Sequence, residues 1–315
     1  MRIGLVTDSC CDLPREFLDA HDITILPITI EGDGRQFVDR RDPYEAHAFY
    51  QRQAKSAIHD FKSLPYSTEQ IRELFLSRLI VEYDFVFCIT VLKGRSPIFA
   101  NASEAANQIL TEYRPLREKF GIKTPFALRV FDSNSLFPGQ GLIVAEAAKM
   151  IAKGQTSTAI RRHLTHLTHT VQAFLVPSDL AQLRNQARSK GDKSVSFLSY
   201  ALGTALDIKP LLRAYQGVTA PVAKIRGFEN GIQKLFSMVI AQIKGGKLNV
   251  PLLCVSYGGD PAVVAVMPAY KQLVSIATSY GVDVLLAEMS TTGGVNIGAG
   301  GIALAFSADE EATFD

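Results

Sequence analysis

Short apolar runs alternate with amphipathic stretches along the first half of the chain. Four runs have the length of β-strands: 2–9, 23–30, 84–92 and 127–133. Several are apolar throughout, which is typical of a parallel sheet buried on both faces. The stretches between them have helical periodicity: 67–82, 97–113 and 139–153. The first of these begins with Ser67 and Gln70 at the spacing of a capping box. This half therefore predicts an α/β domain with helices flanking a mostly parallel sheet.

The second half also contains four predicted strands, together with three predicted helices. The predicted strands are 170–176, 252–257, 282–289 and 301–307, and the predicted helices are 156–169, 228–245 and 261–280. The polar segment 184–193 is predicted to be an exposed loop. We place a domain boundary near residue 165, so that an N-terminal α/β domain comprises residues 1–165 and a C-terminal α/β domain residues 166–315.

Composition and charge exclude several classes of protein. The 315 residues are 47% hydrophobic and 20% charged, and the formal net charge of +2 provides no cationic field for nucleic acid. Four cysteines do not form a disulfide scaffold. No stretch approaches the roughly 20 apolar residues that span a bilayer, and the apolar run before Asp8 is too short for a signal peptide. We therefore expect a cytoplasmic protein without stable membrane insertion.

Three segments rich in small and polar residues follow predicted strands and are candidates for ligand binding. They are 7–11, 132–135 and the glycine-rich 291–301. Ligands of open α/β sheets bind beyond the carboxyl ends of the strands, and glycine lets the backbone approach them closely. The same residues are also ordinary turn formers, so spacing alone leaves both interpretations open.

Other chemistry finds less support. Cys10 and Cys11 are adjacent and lack a Cys-x-x-Cys spacing, which favours two reduced thiols packed at a strand end. His163, His166 and His169 recur every three residues, but no nearby carboxylate or thiol completes a metal site, so no metal is predicted.

Catalytic motifs are missing as well. The sequence has no nucleophile elbow, Walker loop or His-Glu-x-x-His motif. Asp8, Asp132 and Glu69 would form an acid–base set only if folding brought them together. The alternative is that Asp8 and Asp132 cap the turns after their strands. We predict no catalytic residue.

Seven short motifs occur in a recognisable order: Thr7-Asp8-Ser9 with Cys11-Asp12-Leu13-Pro14, Ile25-Leu26-Pro27 with Asp39, Lys62-Ser63-Leu64-Pro65, Phe131-Asp132-Ser133, Gly139 with Gly141, Asp207-Ile208-Lys209-Pro210, and Lys224-Ile225-Arg226-Gly227. Together they resemble the DegV family of bacterial fatty-acid-binding proteins almost end to end. The resemblance implies a two-domain DegV-like fold whose C-terminal domain has a mixed sheet. It also implies that one long-chain fatty acid, such as palmitate, is bound between the domains and presented to a partner fatty-acid kinase. Such a carrier has no cofactor and no catalysis of its own.

The positions that hold the carboxylate in the family are substituted here. The family's Thr in Thr-Ser-x-Pro is replaced by Lys62 beside Ser63, and the two serines that open its next loop are replaced by Leu92 and Lys93, with Ser96 retained. Asn296 stands where the family has His, two residues before Gly298. We therefore predict a carrier of a long-chain fatty acid or another single-chain anionic lipid, with the head group bound by Lys62, Ser63, Lys93, Ser96, Asn296 and Gly298. Two added cations favour stronger anion binding, for example of a phosphate; the alternative is a lost site with solvated lysines.

Arg226 matches a family residue that contacts the kinase, which makes it a candidate for partner docking; the alternative is a solvated or ion-paired arginine. Two other functions stay open. A small-molecule enzyme on this scaffold resembles dihydroxyacetone-kinase-like domains, but those use a His, and all six histidines lie outside the C-terminal glycine-rich segment. A protein-binding module would have a vestigial pocket. A carrier predicts an apolar tunnel, an enzyme a short polar pocket with a perturbed titratable residue, and the module no continuous cavity.

Overall fold

The computed structural model describes residues 1–32, 34–53, 61–178, 180, 183 and 207–314. The predicted loop 184–193 lies outside these residues. The β-strands β1 to β13 are, in order, Ile3–Asp8, Thr24–Leu26, Ile28–Gly32, Arg35–Asp39, Lys62–Pro65, Phe85–Thr90, Ala127–Asp132, Val171–Val176, Ile208–Tyr215, Val218–Arg226, Leu252–Tyr257, Asp283–Glu288 and Ile302–Ser307. The α-helices α1 to α12 are Arg15–Ala20, Pro43–Gln53, Thr68–Leu74, Ile80–Glu82, Ile98–Gln108, Tyr113–Lys119, Pro138–Ala152, Ser157–Thr170, Phe228–Lys244, Ala262–Ala265, Pro268–Ser279 and Thr291–Ile297. A π-helical segment, Phe75–Leu79, joins α3 to α4, and a 3-10 turn, Ile109–Thr111, follows α5.

Three sheets organise these elements. The first has the strand order β2-β1-β6-β7 and is parallel throughout. A small antiparallel sheet has the strand order β4-β3-β5, and its strands come between β2 and β6 along the chain. The six-stranded sheet of order β10-β9-β8-β13-β11-β12 is mixed, since only β11 and β12 pair in parallel. A parallel first sheet and a mixed later one confirm the predicted fold class.

Helix α7 is the central packing element between the two large sheets. It contacts β1 and β6 of the first sheet and β8, β11 and β13 of the mixed sheet. Its residues from Pro138 to Ala148 are all buried, which explains why most of them are apolar or glycine. Gly141 permits the close approach, because a Cβ there would lie 2.8 Å from the Asp12 carbonyl oxygen. The buried side chains of α7 join both large sheets in one hydrophobic cluster, which includes Phe87 of β6 and Cys254 of β11.

The structure corrects two element predictions. The run 23–30 is not one strand, because Pro27 separates β2 in the parallel sheet from β3 in the small sheet. A proline has no amide hydrogen for the ladder, so pairing changes at that point. The glycine-rich segment 291–301 begins as helix α12 and is a loop only from Gly298 onward.

The predicted domain boundary near residue 165 falls inside α8, and the mixed sheet begins directly after that helix at Val171. The division into residues 1–165 and 166–315 stays a prediction. Among the described residues, no helix is both long enough and apolar enough to cross a membrane.

Candidate functional site

A cavity opens where the small sheet, the loop after β6 and helix α12 meet the mixed sheet. Its empty space is about 850 Å³, the open mouth included. The lining residues are Cys10, Ile28, Ser63, Pro65, Val91, Arg95, Ser96, Leu136, Phe137, Leu175, Leu183, Leu212, Thr219, Thr292, Asn296 and Ile297.

The apolar part of the wall comes from strands of two sheets. Leu175 on β8 and Leu212 on β9 are paired across the mixed sheet, so they present one continuous apolar face. Ile28 at the start of β3 and Val91 directly after β6 line another part of the apolar wall. Phe137, the residue before α7, also lines the cavity. Its φ is 49°, a backbone conformation that residues other than glycine rarely adopt. Such a wall suits an apolar ligand, because each buried methylene contributes about 0.8 kcal/mol.

The polar lining is dominated by neutral groups and a single cation. Ser63, Ser96, Thr292 and Asn296 contribute hydroxyl and amide groups. Of the lining residues, all of which belong to the described part of the chain, only Arg95 carries a positive charge at neutral pH. A guanidinium surrounded by short hydroxyl and amide side chains is suited to an oxyanion.

Lys62 does not reach this cavity. It lies on β5, where Ser63 and Pro65 line the cavity while Lys62 and Leu64 are exposed. Successive side chains of a strand point to opposite faces, so the lysine faces away from the serine beside it. The structure therefore separates two residues that the sequence analysis placed in one head-group site.

Lys93 is also outside the lining residues. Its side chain is 67% exposed, and its Nζ lies 4.0 Å from Asp132 Oδ2. Its backbone amide donates to Asp132 Oδ1 at 3.2 Å. Lys93 thus belongs to the link between the ends of β6 and β7. Arg95 and Ser96, further along the same loop, are the residues that line the cavity.

Asn296 lies on helix α12, whose position depends on buried hydrogen bonds. The Ser290 hydroxyl caps this helix by accepting from the Gly293 amide. Thr292 donates to Asp39 Oδ2 with both its amide and its hydroxyl, each at 3.0 Å. The Asn296 side chain donates to the Thr292 carbonyl at 2.7 Å, one turn back in the helix.

Gly298 ends the same helix with a φ of 88° and is buried, but it is not among the lining residues. Its role in the structure is to turn the chain from α12 toward β13. Of the six predicted head-group residues, the structure therefore brings Ser63, Ser96 and Asn296 together at the cavity, and it leaves Lys62, Lys93 and Gly298 outside the lining.

Helix α12 is also held in position by close packing against α2. The Tyr50 hydroxyl donates to the carbonyl oxygens of Met289 and Ser290, at 3.0 and 2.9 Å. A Cβ at Gly294 would lie 2.6 Å from the Tyr50 ring. Glycine at this helical position is therefore explained by the approach of the tyrosine, a contact between residues distant in sequence.

Asp8 anchors the loop that carries Arg95. Its carboxylate accepts from the Val91 amide at 2.6 Å and from the Cys10 amide at 2.9 Å. Burial raises the pKa of Asp8 to about 6, because desolvation outweighs these hydrogen bonds. Asp8 is not a lining residue, so its carboxylate joins the ends of β1 and β6 beneath the cavity and does not face a ligand.

A second set of buried charges connects the two large sheets away from the cavity. Arg41 Nη1 lies 3.6 Å from Asp12 Oδ1, and Arg41 Nη2 donates to the Glu288 carbonyl oxygen at 2.8 Å. The Ser290 amide donates to Asp12 Oδ1 at 2.9 Å. Burial raises the pKa of the Glu288 carboxyl to about 7. None of these four residues lines the cavity.

The remaining candidates lie elsewhere on the molecule. Arg226 is exposed at the end of β10. His163 and His166 on α8 approach different carboxylates, Glu146 at 3.4 Å and Asp309 at 3.7 Å. Within the described residues, no three His, Cys, Asp or Glu side chains are grouped as metal ligands would be. Cys10 and Cys11 are buried and are not joined in a disulfide, which agrees with the prediction of two reduced thiols packed at a strand end.

Two polar lining residues escaped the sequence analysis: Arg95 and Thr219. Arg95 lies in the loop that aligns with the family's serine loop, so its positive charge was a signal that could have been used. Thr292 lies in the glycine-rich segment 291–301, which the sequence analysis had named as a candidate for ligand binding. Thr219 had no sequence signal, because only the pairing of β9 with β10 brings it to the cavity.

Comparisons with known proteins agree with this architecture. A family profile described as "Uncharacterised protein, DegV family" matches residues 2–309. A DegV domain-containing protein of Xanthomonas axonopodis pv. citri is 45% identical over 312 residues, which cover 99% of this chain and 99% of the relative.

Solved structures share the fold at lower identity. The fatty-acid-binding protein DegV of Bacillus subtilis aligns with a TM-score of 0.76 at 20% identity, over 98% of this chain and 100% of that one. A stearic-acid-binding protein of Eubacterium ventriosum aligns with a TM-score of 0.74 at 19% identity, over 97% and 98%.

Proposed function

Because the chain belongs to the DegV family, we propose that it binds one long-chain fatty acid in the cavity between its sheets. The observation that carries this proposal is a cavity with an apolar wall and one cation among neutral polar groups. An amphiphile with a single anionic head group has the same distribution of polarity. Palmitate is a representative ligand; the similar protein of Eubacterium ventriosum binds stearic acid.

The head group in this proposal is a carboxylate bound by Arg95, Ser63, Ser96 and Asn296. The two lysines had suggested a more highly charged head group, for example a phosphate, as one interpretation of the sequence. In the structure Lys62 and Lys93 lie outside the lining, and among the described lining residues the cationic side chain is that of Arg95. Without the two added cations, a singly charged carboxylate is the better match to this set of donors.

Native mass spectrometry of the purified protein tests the proposal directly. We expect a stoichiometric adduct that organic extraction releases as a fatty acid, and an emptied protein that takes up added palmitate one to one. A protein that is empty and also fails to bind added fatty acids would refute the proposal.

We also propose that the protein is a carrier and not an enzyme, and that it presents the carboxyl group to a partner kinase. Asp8, Asp12 and Glu288 are the described carboxyl groups with raised pKa, and all three lie outside the cavity lining, which supports a carrier. The exposed position of Arg226 suits partner docking.

The docking proposal is tested by adding a bacterial fatty-acid kinase and ATP to the palmitate-loaded protein and measuring acyl phosphate. Arg226→Ala should lower this rate without changing palmitate affinity. An equal rate for the two proteins would contradict the docking role.

A further inference from the structure

Thr219 places an unusual polar atom in the apolar wall of the cavity. It is on β10 opposite Ala214 of β9, and Leu212 lies two residues before Ala214 on the same face. Leu212 in turn pairs with Leu175 of β8. Leu175, Leu212 and Thr219 all line the cavity, while the neighbouring Val218 is 64% exposed on the other face.

The hydroxyl oxygen of Thr219 is buried and has no hydrogen-bond partner among the described residues. A buried hydroxyl without a partner is costly, and such groups in native proteins call for an explanation. Valine would satisfy the strand equally well, since both side chains are β-branched and nearly the same size. The hydroxyl is therefore not required by the sheet, and it belongs to a residue of the cavity wall, where rotation of the side chain would turn it toward a ligand.

From this we infer that the preferred ligand is a hydroxylated fatty acid, whose hydroxyl group pairs with Thr219 while its carboxylate pairs with Arg95. This inference rests on the proposed function, because it places a second polar contact along the same acyl ligand. A site built to hydrogen-bond a ligand hydroxyl discriminates against the analogue that lacks it, because the protein group is then left unpaired.

The test compares hexadecanoic acid with its 2-hydroxy, 3-hydroxy and 16-hydroxy derivatives by isothermal titration calorimetry. We expect one hydroxy acid to bind about three- to tenfold more tightly than hexadecanoic acid, the gain of one neutral hydrogen bond. Thr219→Val should abolish that preference, measured as the ratio of the two affinities within each variant, and Thr219→Ser, which keeps the hydroxyl, should retain it.

Thr24→Val is the matched control. Thr24 is also buried, and its hydroxyl oxygen is likewise without a partner among the described residues, but it does not line the cavity. This variant should keep the preference for the hydroxy acid. The inference is overturned if no hydroxy acid gains affinity or if the gain survives in Thr219→Val. Failure of hexadecanoic acid itself to bind would instead refute the fatty-acid proposal.

Discussion

Replacing Arg95 by methionine tests the head-group assignment most directly. The substitution keeps a long apolar stem and removes the one positive charge among the described lining residues. A charge-assisted hydrogen bond contributes about 1.5 to 3 kcal/mol, and because Arg95 is half-buried we take the lower end of that range. A loss of about 1.5 to 2 kcal/mol corresponds to a roughly ten- to thirtyfold weaker Kd for hexadecanoate.

Isothermal titration calorimetry at pH 8, where the ligand is ionised, measures this effect. Lys62→Met and Lys93→Met are matched controls: each removes a lysine at a position that the sequence assigned to the head group, and each should leave the Kd within twofold. A neutral ligand gives a second control, since the methyl ester of hexadecanoic acid should bind Arg95→Met as well as it binds the unsubstituted protein.

The reasoning would be refuted by either of two results. One is an Arg95→Met variant whose affinity for hexadecanoate is within threefold of the original. The other is an equal loss of affinity in the two lysine variants, which would restore the assignment made from the sequence. Circular dichroism and thermal unfolding of each variant separate a loss of affinity from a loss of fold.

Three further predictions concern stability and packing. The pKa of Asp8 rises from 3.8 to about 6 on folding. At pH values between these two, the Asp8 carboxyl is therefore protonated in the folded protein and ionised in the unfolded chain. Its contribution to the free energy of unfolding should fall by about 3 kcal/mol as pH rises from 4 to 7, and urea unfolding of Asp8→Asn should show a shallower fall; parallel curves would contradict this. Gly294→Ala should destabilise the protein by about 1 to 3 kcal/mol, because the added Cβ meets the Tyr50 ring at 2.6 Å. Gly94→Ala, where no atom lies within 4 Å of the new Cβ, should be neutral in the same urea titration, and equal stability of the two variants would exclude the clash. Cys11, Cys88 and Cys254 are buried and do not line the cavity, so they should not react with a thiol reagent such as DTNB in the native protein, and all four cysteines should react after denaturation; rapid labelling of any of these three in the native state would contradict this.

Local signals account for what was predicted well. The capping box at Ser67 and Gln70 is present as expected, with each side chain bonded to the other's backbone. The apolar run that became β6 is buried over most of its length. These features depend on residues a few positions apart, and the motifs along the chain were sufficient to identify the DegV family.

At the head-group site, local sequence signals were not sufficient to predict which side chains line the cavity. Lys62 and Ser63 are neighbours in sequence, yet only the serine lines the cavity, because β5 pairs with β3 in a register that turns Ser63 inward. Arg95 lies two residues after Lys93, but the lysine is directed to Asp132 at the end of another strand. Motif alignment pointed to segments that contribute to the cavity lining, but it could not determine which side chain of each segment faces the cavity.

The sequence by itself determined the α/β class, most strands and helices, and family membership, because periodicity, caps and short motifs are local properties of the chain. Tertiary structure alone decided that Arg95 and Thr219 line the cavity, that Pro27 divides one apolar run between two sheets, and that Gly294 lies against Tyr50. Each of these depends on strand register or on contacts between residues far apart in sequence, and a slip of one residue in a strand would reverse which side chains face the ligand.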